Sequence, residues 1–174
     1  MDFTIRPATR ADTGAIARVA RQTWHATYAH SIAPHNMRQL LERSYAADAL
    51  VEVIEAEHNW FYVAAYARNV VGFAQFLRRA DSQGELARIY VLPGYQRRGI
   101  GRALLSAGAG AMADSGISLC YVSVETDNAH AIGFYRTFGF RRHREHASFL
   151  GDQIVRLVEL RVSVTVLREA VPSA

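Results

Sequence analysis

The sequence predicts an α/β fold: a mixed, mostly antiparallel central sheet with helices on both faces. Three observations point to it. Short β-branched and aromatic runs recur from one end of the chain to the other. Apolar residues at helical spacing separate several of these runs. One such helix joins the fourth strand to the fifth, which makes a right-handed parallel crossover, while the connections before and after it are hairpins. At 174 residues the length suits a single domain, expected over residues 1–164 with a C-terminal tail at 165–174.

Each element has its own signal. Phe3 to Pro7 reads as a first strand. Thr9-x-x-Asp12 has the form of a capping box, and Ile16, Val19, Thr23 and Trp24 recur at helical spacing, so a helix is expected from about Arg10 to Thr27. A loop through Ser31-Ile32-Ala33-Pro34 leads to a second helix, roughly His35 to Ala47. WFYVAAYA and VVGFAQFLRR flank Arg68-Asn69 as a hairpin, and Asp81-Ser82-Gln83-Gly84 makes the next turn. Glu85 to Leu92 is a fourth strand. After it come a helix from about Arg98 to Ser115, a strand from Ser118 to Glu125, and a helix from Asn128 to Phe138 closed by Gly139. Strands over about Phe140 to His146 and Gln153 to Val162 complete the order.

Composition narrows the function classes. Half the residues are hydrophobic and 21% are charged, which suits a folded protein. The N-terminus MDFTIRPATRADT lacks the apolar stretch of a secretory signal, and the run from Ala103 to Ala113 is too short and glycine-rich to cross a bilayer. A cytoplasmic protein without membrane association is expected. The net charge is +4, but the arginines are scattered, so no nucleic-acid partner is expected. All 20 basic residues are arginine, which removes lysine-based chemistry. His25, His30 and His35 scatter around a helix, and His143 and His146 would face opposite sides of a strand, so no metal site is expected. Cys120, the one cysteine, lies in the apolar run LCYVSV and reads as a buried thiol.

The segment from Ile89 to Leu105, IYVLPGYQRRGIGRALL, passes from strand through a Pro-Gly turn to a helix start. Unpaired N–H groups and partial positive charge there suit a phosphate. It is not a nucleotide triphosphatase loop, because Ile100 and Gly101 stand where lysine and a hydroxyl are required. It is not a dinucleotide fingerprint either, since Leu104 replaces the third glycine.

Two segments together resemble one family. Gln96-Arg97-Arg98-Gly99-Ile100-Gly101 is similar to the Q/R-x-x-G-x-G/A motif of the GNAT superfamily of acyl-CoA N-acetyltransferases. Some thirty residues on, VETDNAHAIGFYRTFGF resembles that family's N-x-x-A-x-x-F-Y-x-x-x-G-F motif. The resemblance implies acetyl-CoA as acetyl donor, with its pyrophosphate on the N–H groups of Arg97, Arg98, Gly99, Ile100, Gly101 and Arg102. It further implies a bulged fourth strand that splays from its parallel neighbour, where Ile89, Tyr90 and Val91 pair with the pantetheine arm and Asn128 binds the cofactor. Tyr135 would donate a proton to the departing thiolate, although its helical spacing with Ile132 and Phe138 suits packing as well. Glu85 matches the family's base position, with Glu125 and His25 as alternatives.

The implied reaction is direct transfer of acetyl to a primary amine in a ternary complex. The acceptor would be a small molecule such as a polyamine, or an exposed protein amine, entering over Trp24, His25 and Tyr28 and near Ser148. Five carboxylates between Gln39 and Trp60 stand against Arg43, which would suit a cationic acceptor or simply a solvated helix face. A non-catalytic acyl-CoA sensor is the alternative. By resemblance a homodimer is expected.

Overall fold

The strands of the computed structural model, which describes residues 3–171, are β1 (Phe3–Pro7), β2 (Asn59–Tyr66), β3 (Asn69–Ala80), β4 (Gln83–Val91), β5 (Leu119–Glu125), β6 (Arg141–Leu150) and β7 (Gln153–Ser163). They form one sheet in the order β1-β2-β3-β4-β5-β7-β6, with β4 and β5 parallel and every other pair antiparallel. The helices are α1 (Thr13–Tyr28), α2 (Pro34–Ser44), α3 (Ala47–Glu55), α4 (Ile100–Asp114), α5 (Ala129–Thr137) and α6 (Val164–Ala170). The predicted sheet is present.

Local chemistry sets the entry to α1. The Thr9 N–H and hydroxyl donate to the Asp12 carboxylate at 2.8 and 2.9 Å, and the Arg6 guanidinium grips the same carboxylate at 2.7 and 2.8 Å. Arg6 and the Thr9 donors hold Asp12 down at a pKa of about 2 against the cost of its burial. The chain passes through a short 3₁₀ turn, Arg10–Asp12, before α1 begins.

Alternation along the strands then divides the core. Phe61, Val63 and Phe73 pack with α1, α2 and α3 on the front face, while Ala64, Ala74 and Phe76 pack with α4 on the back. Gly108 of α4 lies so close to Phe76 that an added Cβ would come within 2.2 Å of the ring.

Two expectations are corrected. The helix expected over His35 to Ala47 is α2, which stops at Ser44, and a helix that the sequence reading left unassigned, α3, follows the break at Tyr45-Ala46. Tyr45 leaves helical geometry with φ −125° and is buried, its ring under the Arg88 guanidinium and edge-on to Phe73. Tertiary packing makes that break, for no glycine or proline marks it. The segment expected as a tail opens with α6, whose Leu167 is fully buried against the α4 layer. The predicted closure of α5 is present: Gly139 has φ +85°, Phe140 N–H donates to Tyr135 and Gly139 N–H to Arg136, forming a Schellman cap.

Candidate active site

The site begins with a failure of pairing. β4 and β5 hold only three registered pairs, Gln83 with Leu119, Gly84 with Cys120 and Glu85 with Tyr121. Beyond Glu85, β4 bends away because it carries a bulge: Leu86 opposes Phe76 and Arg88 opposes Gln75, leaving Ala87 unopposed. β5 continues along β7 to Glu125. The two strands therefore splay, and a cleft of about 720 Å³ opens between them. Its walls include Ile89, Tyr90 and Val91 from β4 and Val122, Ser123 and Val124 from β5, with Asn128, Phe134 and Tyr135 closing one side.

At the cleft's end lies the glycine-rich turn. Arg97 and Gly99 both have left-handed φ, +58° and +84°, on either side of Arg98. Such reversals aim successive N–H groups into one concavity. The first helical hydrogen bond across the turn runs from Ala103 N–H to Gly99, so the preceding N–H groups of Gly99, Ile100, Gly101 and Arg102 donate to no described backbone carbonyl. No atom lies within 4 Å of a Cβ built on Gly99, which leaves the concavity open. Gly101 has a packing reason: its added Cβ would meet Phe134 at 3.1 Å.

Aromatic residues gather where the cleft meets the front face. Trp24 lies 4.7 Å from Tyr28 and 6.3 Å from Tyr90 between ring centroids, and its indole N–H is buried near the Tyr45 hydroxyl. The Tyr28 hydroxyl interacts with Asn128 and Tyr90; burial and the nearby Glu125 carboxylate raise its pKa. Burial raises Tyr135 further, so its hydroxyl stays protonated at neutral pH. Burial also raises Glu125, outweighing a 3.3 Å hydrogen bond donated by Ser31. Cys120 is buried and pushed up to about 12, which leaves it an unreactive thiol.

The residues singled out from sequence divide as follows. Ile89, Tyr90, Val91, Arg97, Gly99, Gly101, Arg102, Asn128, Tyr135 and Tyr28 line one cleft. Ile100 is buried under it, and Arg98 stacks over Tyr95 at 5.4 Å. Trp24 backs Tyr28, while His25 is exposed. Glu85 sits at the last β4–β5 pair beside Arg79 and is no part of the cleft wall. Asn128 also caps α5, accepting from Ala131 N–H at 3.0 Å. None of the carboxylates of the acidic segment lines the cleft, and its Glu55 is paired with Arg10. Ser148 lies within β6 and not in a loop. The loop after α1 is instead tied to the β6–β7 turn, where the Gln153 amide donates to Ser31 at 2.6 Å and accepts from Ala33 at 2.9 Å, and Asn36 donates to Asp152 at 2.8 Å. Among the residues that sequence reasoning passed over, Ser123 lines the cleft at an exposed position of an otherwise buried strand. That single polar break in the run CYVSV was its signal.

The Acetyltransferase (GNAT) family matches residues 21–140, which include the splayed pair, the turn and α5. The chain belongs to this family. The acetyltransferase is 28% identical over 145 residues to the spermidine N(1)-acetyltransferase of Thermoplasma acidophilum, covering 81% of this chain and 89% of that protein. The uncharacterized N-acetyltransferase YuaI of Bacillus subtilis is 33% identical over 151 residues, 82% of each chain. Among solved structures, the PaiA N-acetyltransferase of T. acidophilum in complex with coenzyme A superposes with a TM-score of 0.80 at 25% identity, over 91% of this chain and 98% of that one. YncA of Salmonella typhimurium, solved with acetyl-CoA, gives 0.73 at 25% identity over 94% and 95%. The enzyme is therefore an N-acetyltransferase of the GNAT fold. No helix is long and apolar enough to cross a membrane, and no cluster that could hold a metal ion occurs among the described residues.

Proposed function

We propose that the protein transfers the acetyl group of acetyl-CoA directly to a primary amine within a ternary complex. The observation that carries this reading is the splayed β4–β5 pair ending on the open N–H concavity at Arg97–Arg102. In this reading the concavity holds the pyrophosphate, the free edge of β4 at Ile89–Val91 holds the pantetheine amides, and Asn128 borders them. Coenzyme structures of relatives support the assignment. The donor supplies an activated acetyl thioester; the chain's own groups handle the protons.

Tyr135, protonated because it is buried, gives its hydroxyl proton to the leaving thiolate. A thiol near pKa ~8.5 leaves tolerably unaided, so this proton is worth a factor of about 10²–10³. A primary amine at pKa ~10.4 must lose a proton before it attacks, roughly 4.6 kcal/mol at pH 7. Glu125 is the better supported acceptor of that proton, because burial strengthens it as a base and it faces Tyr28 at the cleft. Glu85 lies beside Arg79 and outside the cleft wall. Acyl-enzyme chemistry has no support, since the Cys120 thiol is buried and its pKa pushed up to about 12.

The test is acetyl-CoA turnover followed by thiol release, with cofactor binding titrated in parallel. Tyr135→Phe is expected to lower kcat about 10²-fold while cofactor affinity holds. Binding without release for any amine would favour the sensor alternative.

A further inference from the structure

Resting on the acetyltransferase reading, we propose that the acceptor amine also carries a carboxylate, and that Arg79 and Arg144 recognise it. The two guanidiniums converge on one buried carboxylate at the front face. Arg79 Nη1 reaches Glu159 Oε1 at 2.7 Å, and Arg144 donates from Nε to Oε2 at 2.8 Å and from Nη2 to Oε1 at 3.4 Å. The Glu159 side chain is 4% exposed, whereas those of Arg79 and Arg144 are 32% and 55% exposed. Burial alone would raise Glu159; the two arginines outweigh it and keep it ionised. One buried anion thus fixes two forks, whose remaining N–H donors have no described hydrogen-bond partner. Arg79 is further held flat over the Tyr121 ring at 4.9 Å.

The position of this pair gives it a role. Glu159 stands directly opposite Ser123 in the β5–β7 ladder, and Ser123 lines the cleft. Residues so paired lie about 5 Å apart at Cβ on one face. The cluster of Arg79, Glu159 and Arg144 therefore stands beside Ser123, next to the cleft.

Two further features belong to this face. Arg141 and Arg161 stand directly opposite each other on it, a like-charge pairing that is unfavourable without a counter-charge. With Arg79 and Arg144 they set four guanidiniums against the carboxylates of Glu159, Glu85 and Glu125. Two residues along β6 from Arg144, on the same face, the His146 Nδ1 atom is buried with no described hydrogen-bond partner. None of the carboxylates of α2 and α3 lines the cleft.

A series of matched amines tests the proposal: L-methionine against 3-(methylthio)propylamine and L-phenylalanine against phenethylamine, with spermidine alongside. Thiol release is read as kcat/KM for each. The wild-type enzyme is expected to prefer the carboxylate-bearing member of each pair at least tenfold, the range of a charge-assisted contact. Arg144→Gln should cut that preference ratio roughly tenfold through KM, and Arg144→Lys, which keeps charge but loses the fork, should restore it only in part. A purely structural ion pair would change both members of each pair alike and leave the ratio fixed. If the variants fail to fold, the wild-type ratio alone decides. Equal or better use of the decarboxylated amines or of spermidine overturns the proposal while leaving the acetyltransferase reading intact. Absence of release with every amine overturns both.

Discussion

At the scale of single residues, the candidate site works by controlling which groups hold protons. Burial acts on Tyr135, Glu125 and Cys120 in the same direction, favouring the protonated form, but with different consequences. A tyrosine kept neutral is an available acid, a carboxylate with raised affinity is a better base, and a thiol kept neutral is inert. Glu125 gives a prediction that separates catalysis from folding. Its pKa is raised in the folded state, so the group favours folding fully below its unfolded pKa near ~4.3, and that contribution is lost as pH rises through the folded value. At neutral pH the carboxylate is a net cost to folding. Glu125→Gln is therefore expected to melt at the same temperature as wild type or higher at pH 7, while kcat/KM falls about 10²–10⁴-fold and loses the acid limb of its pH profile. A matching fall in melting temperature would count against the assigned role. The residues behind this chemistry were partly legible. The motif carries Tyr135 and Asn128, but Glu125 gains its raised pKa through burial, which depends on packing by residues distant in sequence.

At the scale of elements, local rules and close approach share the work. The entry to α1 is encoded within seven residues, from Arg6 to Asp12, and its energetics can be read by pH. Asp12 is lowered from 3.8 to about 2 and is well buried. Its contribution is present above the unfolded pKa and lost as pH falls through about 2; the shift corresponds to roughly 2 kcal/mol. Asp12→Asn should cost about that much in denaturant unfolding at pH 7, and the difference from wild type should vanish near pH 2. A constant difference across pH would mean that the loss is one of shape and not of charge. The Schellman cap of α5 is similarly local, and Gly139 announces it. The break between α2 and α3 is not local: both sides have helical sequence, and only the burial of Tyr45 between Arg88 and Phe73 ends the helix. α6 escaped notice for the same reason, being short and amphipathic only relative to α4, which it covers.

At the scale of the whole molecule, the cleft is a structural discontinuity. β1 to β4 form one half of the sheet and β5 to β7 the other, joined by three residue pairs and by the α4 layer behind them. A ligand that binds both halves should couple them. Saturating coenzyme A, at about a hundred times its Kd, is expected to stabilise the fold by roughly 2.7 kcal/mol. Amide exchange should slow most at Ile89–Val91, Gly99–Arg102 and Val122–Glu125. Protection confined to the glycine turn would mean that the phosphates bind without the arm entering between the strands.

Taken alone, the sequence determined the order of the seven strands and of α1, α2, α4 and α5, the crossover, the glycine turn and the second motif. Periodicity, turn chemistry and spacing are properties of neighbours along the chain. Tertiary structure decided the place of the bulge at Ala87, the break at Tyr45, the packing of α6 and the meeting of Arg79, Glu159 and Arg144 over Tyr121. Those depend on which distant residues share a face once β4 and β5 pair, because packing and electrostatic contact act through space and leave no period in the sequence.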